Sequence, residues 1–147
     1  MIYIFDLDGT LADIEHRLHW ISSGERNYGM FYSLCVNDKP IKDTIETLQH
    51  LAISSNSIYI VTGRSDEVRQ QTNDWLKRAG VIYQQLIMRK EGDHRPDYEI
   101  KEEWLLKHFP TKEDRSQIAG VFEDRKSVVD MWRRNGLMCY QCAEGDF

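Results

Sequence analysis

The chain begins with MIYIFDLDGT (residues 1–10), and this stretch decides the fold. The apolar run Ile2–Phe5 is too short for a helix and ends abruptly at an acid, so it predicts a buried strand. If the backbone stays extended, Asp6 and Asp8 point to one side and Leu7 to the other. Two carboxylates this close repel each other, which predicts a bound cation or one raised pKa.

The chain as a whole has the composition of a globular protein. Its 147 residues are 41% hydrophobic and 29% charged, with a formal net charge of -5. We expect one domain, residues 1–147, because a chain of this length buries about 70% of its unfolded surface. The acidic balance argues against a general affinity for nucleic acid, which normally depends on a surplus of Lys and Arg. A local basic patch is still compatible with it.

No segment predicts secretion or membrane insertion. The N-terminal apolar run is too short for a signal sequence, and no apolar stretch approaches the roughly 20 residues of a spanning helix. Three cysteines, Cys35, Cys139 and Cys142, are an odd number without the density of a disulfide scaffold. We therefore expect a cytoplasmic location and no membrane partner.

Strand and helix patterns alternate along the chain. Strands are predicted at Ile2–Phe5, Ser57–Val61, Val81–Met88, Ile118–Phe122 and Leu137–Ala143. Helices are predicted at Leu11–Ile21, from Ile41 to Leu51, and at Asp66–Ala79, Tyr98–Phe109 and Lys126–Asn135, with loops at Ser22–Gly29 and Arg89–Asp97. This alternation predicts an α/β fold with a central parallel sheet flanked by helices. Three strands end on polar residues, and the carboxyl ends of such strands form the ligand site.

The segment Asp6-Leu7-Asp8-Gly9-Thr10-Leu11 resembles the nucleophile motif of the haloacid dehalogenase (HAD) superfamily. Most members of that superfamily transfer phosphoryl groups through an aspartyl-phosphate. Three later segments resemble the other motifs in order: Ile60–Arg64, the stretch around Lys101, and Val121–Asp124. The resemblance implies a Rossmann-like HAD fold and a phosphatase.

Each part of phosphoryl transfer has a candidate residue. Asp6 is placed as the nucleophile, because a carboxylate at a strand end is fixed in position and stays ionised beside a metal. Asp8 would protonate the leaving oxygen and later accept a proton from water, which requires its pKa to rise toward the working pH. The resemblance implies a phosphate-binding hydroxyl at Thr62 and a charge-compensating ammonium at Lys101.

Three neighbours of these residues are candidates for binding the substrate. Gly63 lets the backbone approach a ligand closely. Arg64 offers a fixed fork of donors that suits phosphate. Asp97 lies one helical turn before Lys101 and is placed to orient its ammonium.

Mg²⁺ is the expected cofactor, because it prefers hard oxygen ligands and takes only one or two carboxylates. We expect Asp6 and Asp124 as direct ligands and Glu123 as the partner that holds a ligand water or the lysine. The resemblance to HAD phosphatases implies that Asp8 binds the metal through its backbone carbonyl. Many relatives have Asp at the position of Glu123, so the choice between Glu123 and Asp124 as the direct ligand stays open at this stage.

The intervals between the motifs are too short for a cap domain. Thr10–Ser57 holds a small helical insert at about residues 12–40, and Arg64–Lys101 holds one helix and one strand. The site should therefore be open at the top, which suits the end of a polymer. A partner in a homo-oligomer would have to supply the lid for a small substrate.

Aromatic residues of the insert have two interpretations. Trp20, Phe31 and Tyr32 either pack in the core or stack on a nucleobase. Core packing is the expectation.

Longer runs resemble the 3'-phosphatase domain of phage-type polynucleotide kinase-phosphatase over nearly the whole chain. They are Ile14–Arg17, Met88–Arg89 with Gly92–Asp97, Asp124–Arg125 with Val129–Arg134, and Gln141–Phe147. The resemblance implies that Arg17 and Arg64 support catalysis or bind the substrate phosphate. No G-x-x-x-x-G-K-[ST] motif occurs, so we do not expect this sequence to phosphorylate ends.

These observations favour Mg²⁺-dependent removal of 3'-phosphates from the ends of DNA or RNA, or from nucleotides. An alternative is a phosphatase of small phosphomonoesters such as nucleoside monophosphates. A different class is a HAD-like binding module that keeps the motifs without turnover.

Overall fold

The structure is a computed structural model that describes residues 1–22 and 24–145. Its strands are β1 (Ile2–Phe5), β2 (Ala12–Asp13), β3 (Lys39–Pro40), β4 (Ser57–Ser65), β5 (Gln85–Arg89), β6 (Ile118–Arg125) and β7 (Cys139–Gly145). Its helices are α1 (His19–Ser22), α2 (Tyr28–Ser33), α3 (Lys42–Ile53), α4 (Arg69–Arg78), α5 (Asp97–His108), α6 (Lys112–Arg115) and α7 (Lys126–Arg134).

Five of these strands form one parallel sheet in the order β5-β4-β1-β6-β7. The N-terminal strand β1 lies at its centre, which explains why this strand is apolar throughout: neighbours cover both of its edges and helices cover both of its faces. The predicted fold class, an α/β Rossmann-like HAD fold with a central parallel sheet, is confirmed.

Alternate residues of β1 enter two separate core layers. Phe5 packs into a layer that includes Leu48 of α3 and Trp75 of α4. Ile4 packs into the opposite layer with Trp132 of α7 and residues of α5. Each large side chain buried this completely contributes about 1.5–3 kcal/mol. The central strand is thereby fixed from both sides, and so is the position of the residues that follow it.

The sequence Leu11–Ile21 does not form the single helix that its apolar spacing predicts. Instead the chain turns tightly at the carbonyl of Leu7, which accepts bonds from the amides of Leu11 and Ala12, both at 2.9 Å. It then pairs as β2 with β3 and continues through a 3₁₀ turn, Glu15–Arg17, into α1. The helical spacing was misleading because the same apolar residues pack into the core as a turn and a short ribbon.

Other element boundaries shift by a few residues. The strand predicted from Val81 begins at Gln85, because the amide and side chain of Gln84 first bond the backbone of Ile58. The predicted loop Ser22–Gly29 is shorter, since α2 starts at Tyr28, and its residue Ser23 lies outside the described residues.

The insert at residues 12–40 is anchored to the core at several points. The amide of Ile41 donates to the carbonyl of Leu11 at 2.8 Å, and the indole of Trp75 donates to the carbonyl of Asp38 at 2.9 Å. Phe31 is buried in the core, as expected, whereas Trp20 and Tyr32 pack against it only partly buried. No cap domain is formed by residues 1–22 and 24–145.

None of the helices in the described part of the chain has the length and apolar character required to cross a bilayer. Cys35, Cys139 and Cys142 are all free thiols.

Candidate active site

The carboxyl ends of β1, β4 and β6 meet at a cavity of about 700 Å³. Its floor consists of Asp6 and Asp8, which come just after β1, and of the last residues of β4 and β6, Thr62 to Ser65 and Glu123 to Arg125. One wall comes from the insert and the other from residues 89 and 92–97. The predicted convergence of polar strand ends at one crevice is therefore present.

Lys101 lies at the centre of a buried charge cluster. Its Nζ lies 2.7 Å from Oδ1 of Asp6, 2.8 Å from Oε2 of Glu123 and 3.4 Å from Oδ2 of Asp97. Burial alone would lower the pKa of Lys101, but the carboxylates of Asp6, Asp97 and Glu123 raise it well above its usual value. The lysine is thus held as a cation beside the predicted nucleophile.

The pKa values of the acids in this cluster are raised as well, which for a carboxyl group favours the neutral form. Burial raises the pKa of Asp6 well above its usual value, and the charge of Glu123 raises it further, against the opposing effect of Lys101. Burial and the charge of Asp6 also raise the pKa of Asp124, to about 7. One lysine therefore leaves uncompensated negative charge at this end of the sheet.

Asp6, Glu123 and Asp124 place one carboxylate oxygen each within 4.8 Å of the others. Lys101 holds Glu123 through Oε2, and the amides of Asp124 and Arg125 donate to its Oε1 at 3.2 and 3.5 Å. Asp124 receives only a 3.5 Å bond from the hydroxyl of Thr10 among the described contacts of its carboxylate. The carboxylates of Asp6 and Asp124 are thus the less engaged pair.

Two glycines make room for Asp124. A Cβ atom on Gly9, which has a φ of +84°, would lie 2.2 Å from Oδ2 of Asp124, and so would a Cβ atom on Gly145. This pocket of oxygens, short of positive charge, fits Mg²⁺. The residues that would hold it are Asp6 and Asp124, with Glu123 as the partner of Lys101. Asp8 places no carboxylate oxygen in this group.

The carboxylate of Asp8 belongs to a second charge cluster, with two arginines. Arg64 donates to Oδ1 of Asp8 through Nε at 3.1 Å and also through Nη2, and Arg17 donates to the same oxygen from Nη2 at 3.1 Å. Asp38 accepts from both arginines, at 2.8 Å from Nε and Nη2 of Arg17 and at 3.1 Å from Arg64.

The expectation that the pKa of Asp8 rises toward the working pH is wrong for the substrate-free protein. Burial would raise the pKa of Asp8, but the charges of Arg64 and Arg17 outweigh it, and the pKa is lowered. The raised pKa that the acidic pair predicts is instead that of Asp6. Asp8 is therefore a carboxylate until something offsets the two arginines.

Arg17 also differs from the expected substrate contact. Its side chain is 0% exposed, its guanidinium lies 4.3 Å from the centre of the Phe31 ring, and it does not line the cavity. It lies behind Asp8 and holds that carboxylate in position. Arg64, although buried, does line the cavity.

Asp38 is the residue of this site that the sequence did not reveal. It is buried, and its carboxylate accepts hydrogen bonds from both arginines. Its Oδ1 also lies 2.7 Å from Nε2 of His16. Two buried arginines need more negative charge than Asp8 supplies, so a second buried acid is required once the burial of the arginines is known. The sequence alone did not indicate that the arginines are buried.

Thr62 and Gly63 lie near the carboxyl end of β4 and line the cavity. The hydroxyl oxygen of Thr62 accepts the amide of Arg64 at 3.1 Å, which leaves its proton available for a phosphoryl oxygen. A Cβ atom on Gly63 would lie 2.1 Å from Oδ1 of Asp97. Gly63 is thus required by the close approach of the Asp97 carboxylate.

A family model for the phosphatase domain of polynucleotide kinase PNKP matches residues 1–147. The chain belongs to this family. It is a HAD-type phosphatase, as the sequence predicts.

Solved structures agree with the family. A chain of the Pnkp1/Rnl/Hen1 RNA repair complex is 29% identical, with a TM-score of 0.82, over 99% of this chain and 43% of that one. A chain of a second Pnkp1/Rnl/Hen1 complex is 30% identical, with a TM-score of 0.81, over 99% of this chain and 47% of that one. A putative phosphatase from Clostridium difficile shares the fold at 15% identity, with a TM-score of 0.65, over 95% of this chain and 83% of that one. The present chain spans less than half of the two Pnkp1 chains.

Proposed function

We propose that this phosphatase is a Mg²⁺-dependent polynucleotide 3'-phosphatase that acts through an aspartyl-phosphate. The observation that carries the proposal is the placement of Asp6 and Asp8 on the floor of one cavity, each with its own cation: Lys101 beside Asp6 and Arg64 beside Asp8. Membership of the PNKP phosphatase family supports it.

In the first step a carboxylate oxygen of Asp6 attacks phosphorus, and the bond from phosphorus to the 3'-oxygen breaks. The proton on Asp8 passes to that leaving oxygen. The hydroxyl of Thr62 and the ammonium of Lys101 donate to the phosphoryl oxygens, where charge develops. The products are the acyl phosphate of Asp6 and a free 3'-hydroxyl end.

Asp8 must acquire a proton before this step, because Arg64 and Arg17 lower its pKa in the free protein. A bound phosphate brings negative charge beside Arg64, which opposes the effect of the arginines and raises the pKa of Asp8. Substrate binding therefore prepares the acid.

In the second step water attacks the phosphorus of the Asp6 acyl phosphate, and Asp8 takes a proton from that water. The bond between Asp6 and phosphorus breaks, which releases inorganic phosphate and the free carboxylate. Mg²⁺, held by Asp6 and Asp124, supplies neutralisation of phosphoryl charge when bound. Lys101 keeps Asp6 oriented throughout.

The absence of a cap domain among the described residues supports a polymer end as substrate. The cavity lies between the insert and residues 89 and 92–97, so the nucleic-acid chain attached to the phosphate can leave the site between these two walls. The Pnkp1 neighbours come from an RNA repair complex, and this supports nucleic-acid ends as the substrate class.

The test is Mg²⁺-dependent phosphate release from matched oligonucleotides that carry a 3'-phosphate or a 5'-phosphate, beside free 3'- and 5'-nucleotides. We expect the 3'-phosphorylated oligomer to react with the highest kcat/KM. Matched DNA and RNA oligomers then show whether the enzyme prefers deoxyribose or ribose in its substrate. A preference for free nucleotides would contradict the proposal and favour a phosphatase of small phosphomonoesters, with a partner subunit as the lid.

A further inference from the structure

The insert presents a polar aromatic wall to the cavity, formed by Arg26, Tyr28 and Tyr32. Tyr28 is 41% exposed, and its ring centre lies 6.1 Å from that of Tyr32, with 33° between the ring planes. Tyr32 packs against the core on one side and lines the cavity on the other. Core packing therefore accounts for only part of this aromatic surface.

Arg26 is the cation of this wall. It is exposed, and within residues 1–22 and 24–145 it forms no hydrogen bond or ion pair. The arginines of the opposite wall are engaged: Arg89 donates to the carbonyls of Gly63, Asp93 and Arg95. Arg95 is paired with Asp93 and Glu103. Arg26 is thus available to an anion that enters the cavity.

Tyr32 lies close to the catalytic residues. Burial raises the pKa of its hydroxyl, and the charges of Arg89 and Asp8 act on it in opposite senses. A nucleoside whose 3'-phosphate sits between Asp6 and Arg64 lies in the cavity that Tyr28 and Tyr32 also line. Aromatic rings bind any base by stacking, and a free arginine binds a backbone phosphate.

We propose that this wall is a binding site for the terminal nucleoside of the strand: Tyr28 and Tyr32 stack on its base, and Arg26 contacts the phosphate on its 5' side. The inference rests on the proposed 3'-phosphatase function and adds the recognition of the base. The occupant is a nucleobase of any kind, because the wall offers ring faces and no described array of fixed base-edge donors.

The test crosses one protein change with one substrate change. Tyr28→Ala is compared with the unmodified enzyme on two oligonucleotides with a 3'-phosphate, one with a normal terminal base and one with an abasic terminal sugar. We expect Tyr28→Ala to lower kcat/KM on the normal oligomer by roughly 5- to 150-fold, the range of one stacked base. On the abasic oligomer we expect less than about a twofold change, because no stack remains to be lost.

Three further variants sharpen the result. Tyr28→Phe keeps the ring and should lose much less kcat/KM on the normal oligomer than Tyr28→Ala does. Arg26→Ala should lower kcat/KM on the oligomer more than on a free 3'-nucleotide, which has no second phosphate. It should also reduce the salt dependence of oligomer binding by the equivalent of about one phosphate contact. Ile53→Ala, a change at a 74% exposed apolar residue away from the cavity, is the matched control and should change nothing.

Each outcome decides one claim. Equal losses for Tyr28→Ala on both oligomers, or no loss on either, would overturn the base site while the 3'-phosphatase function stands. An unmodified enzyme that releases phosphate from neither oligomer would overturn the proposed function, and the base site with it. Thermal melting of each variant separates these results from loss of the fold.

Discussion

Lys101 and Asp6 are 95 residues apart in the chain, yet the lysine ammonium donates to Oδ1 of Asp6 at 2.7 Å in the buried floor of the cavity. Neither charge is tolerable there alone, since an unpaired buried charge is destabilising by several kcal/mol. The packing of α5 against the sheet therefore brings the predicted nucleophile and its cation together before any substrate arrives.

Asp6→Asn removes the nucleophile while preserving the shape of the side chain. We expect kcat to fall by at least about 10⁴-fold, because an amide does not form the acyl phosphate. The measurement is phosphate release from an aryl phosphate and from a 3'-phosphorylated oligonucleotide. Asp130→Asn, on the exposed face of α7, is the control. Near-normal turnover of the Asp6 variant would refute the assignment.

Lys101→Met leaves Asp6 and Glu123 without their shared cation. We expect the free energy of unfolding to fall by about 3–5 kcal/mol at pH 8. The loss should be smaller at pH 5, where these acids, whose pKa values are already raised, take up protons. Urea denaturation at both pH values measures this. Lys107→Met, at an exposed position of the same helix, is the control, and an equal loss at the two pH values would contradict the explanation.

Arg17→Ala tests whether Arg17 positions Asp8 or contacts the substrate. Because Arg17 is buried behind Asp8 and does not line the cavity, we expect similar losses of kcat on an aryl phosphate and on an oligonucleotide. The pKa of Asp8 should rise, which moves the alkaline limb of the pH profile of kcat/KM, where the acid loses its proton, to higher pH. A selective loss on the oligonucleotide would restore the role of Arg17 as a substrate contact.

Mg²⁺ should stabilise the protein more at pH 8 than at pH 5. The raised pKa values of Asp6 and Asp124 mean that the folded protein holds protons that the unfolded chain releases. The effect of Asp124 therefore lowers stability as pH rises from about 4 to about 7, Asp6 acts in the same sense, and a bound cation reverses both effects. Asp8 acts in the opposite sense: its contribution is present above the ordinary aspartate pKa and is lost as pH falls through its lowered pKa.

Thermal melting with EDTA or with Mg²⁺ at the two pH values measures this effect. At a concentration one hundred times Kd, Mg²⁺ should raise Tm by roughly 5–10 °C at pH 8. Asp124→Asn should abolish most of that increase, and Glu123→Gln should retain more of it. A Mg²⁺ effect that is equal at pH 5 and pH 8 would contradict the assignment of the ligands.

The sheet and the floor of the site were predictable because they depend on local signals. The apolar run before Asp6 predicts β1, and the acids after Val121 predict the second strand end that contributes to the metal site. The ion pair of Asp97 with Lys101 follows from helical spacing. These signals lie within a few residues of one another, so no knowledge of the tertiary structure was required.

The second charge cluster was not predictable in the same way. Whether Arg17 faces solvent or the interior depends on the turn at Leu7 and on the pairing of β2 with β3, neither of which the helical spacing of Leu11–Ile21 indicates. The partner Asp38 comes from the far end of the insert, 21 residues from Arg17. Its role, and the lowered pKa of Asp8, emerge only from this long-range packing.

The insert has two separate roles: its ends hold Asp8 in position, and the segment between them forms one wall of the cavity. Arg17 and Asp38, at its two ends, belong to the buried network around Asp8, whereas the wall between them contributes only surface to the cavity. Residues 24–30, which precede the buried Phe31, can therefore vary in length and composition while the reacting groups stay in place. This segment is the position at which a new recognition loop could be grafted to change the substrates that the phosphatase accepts.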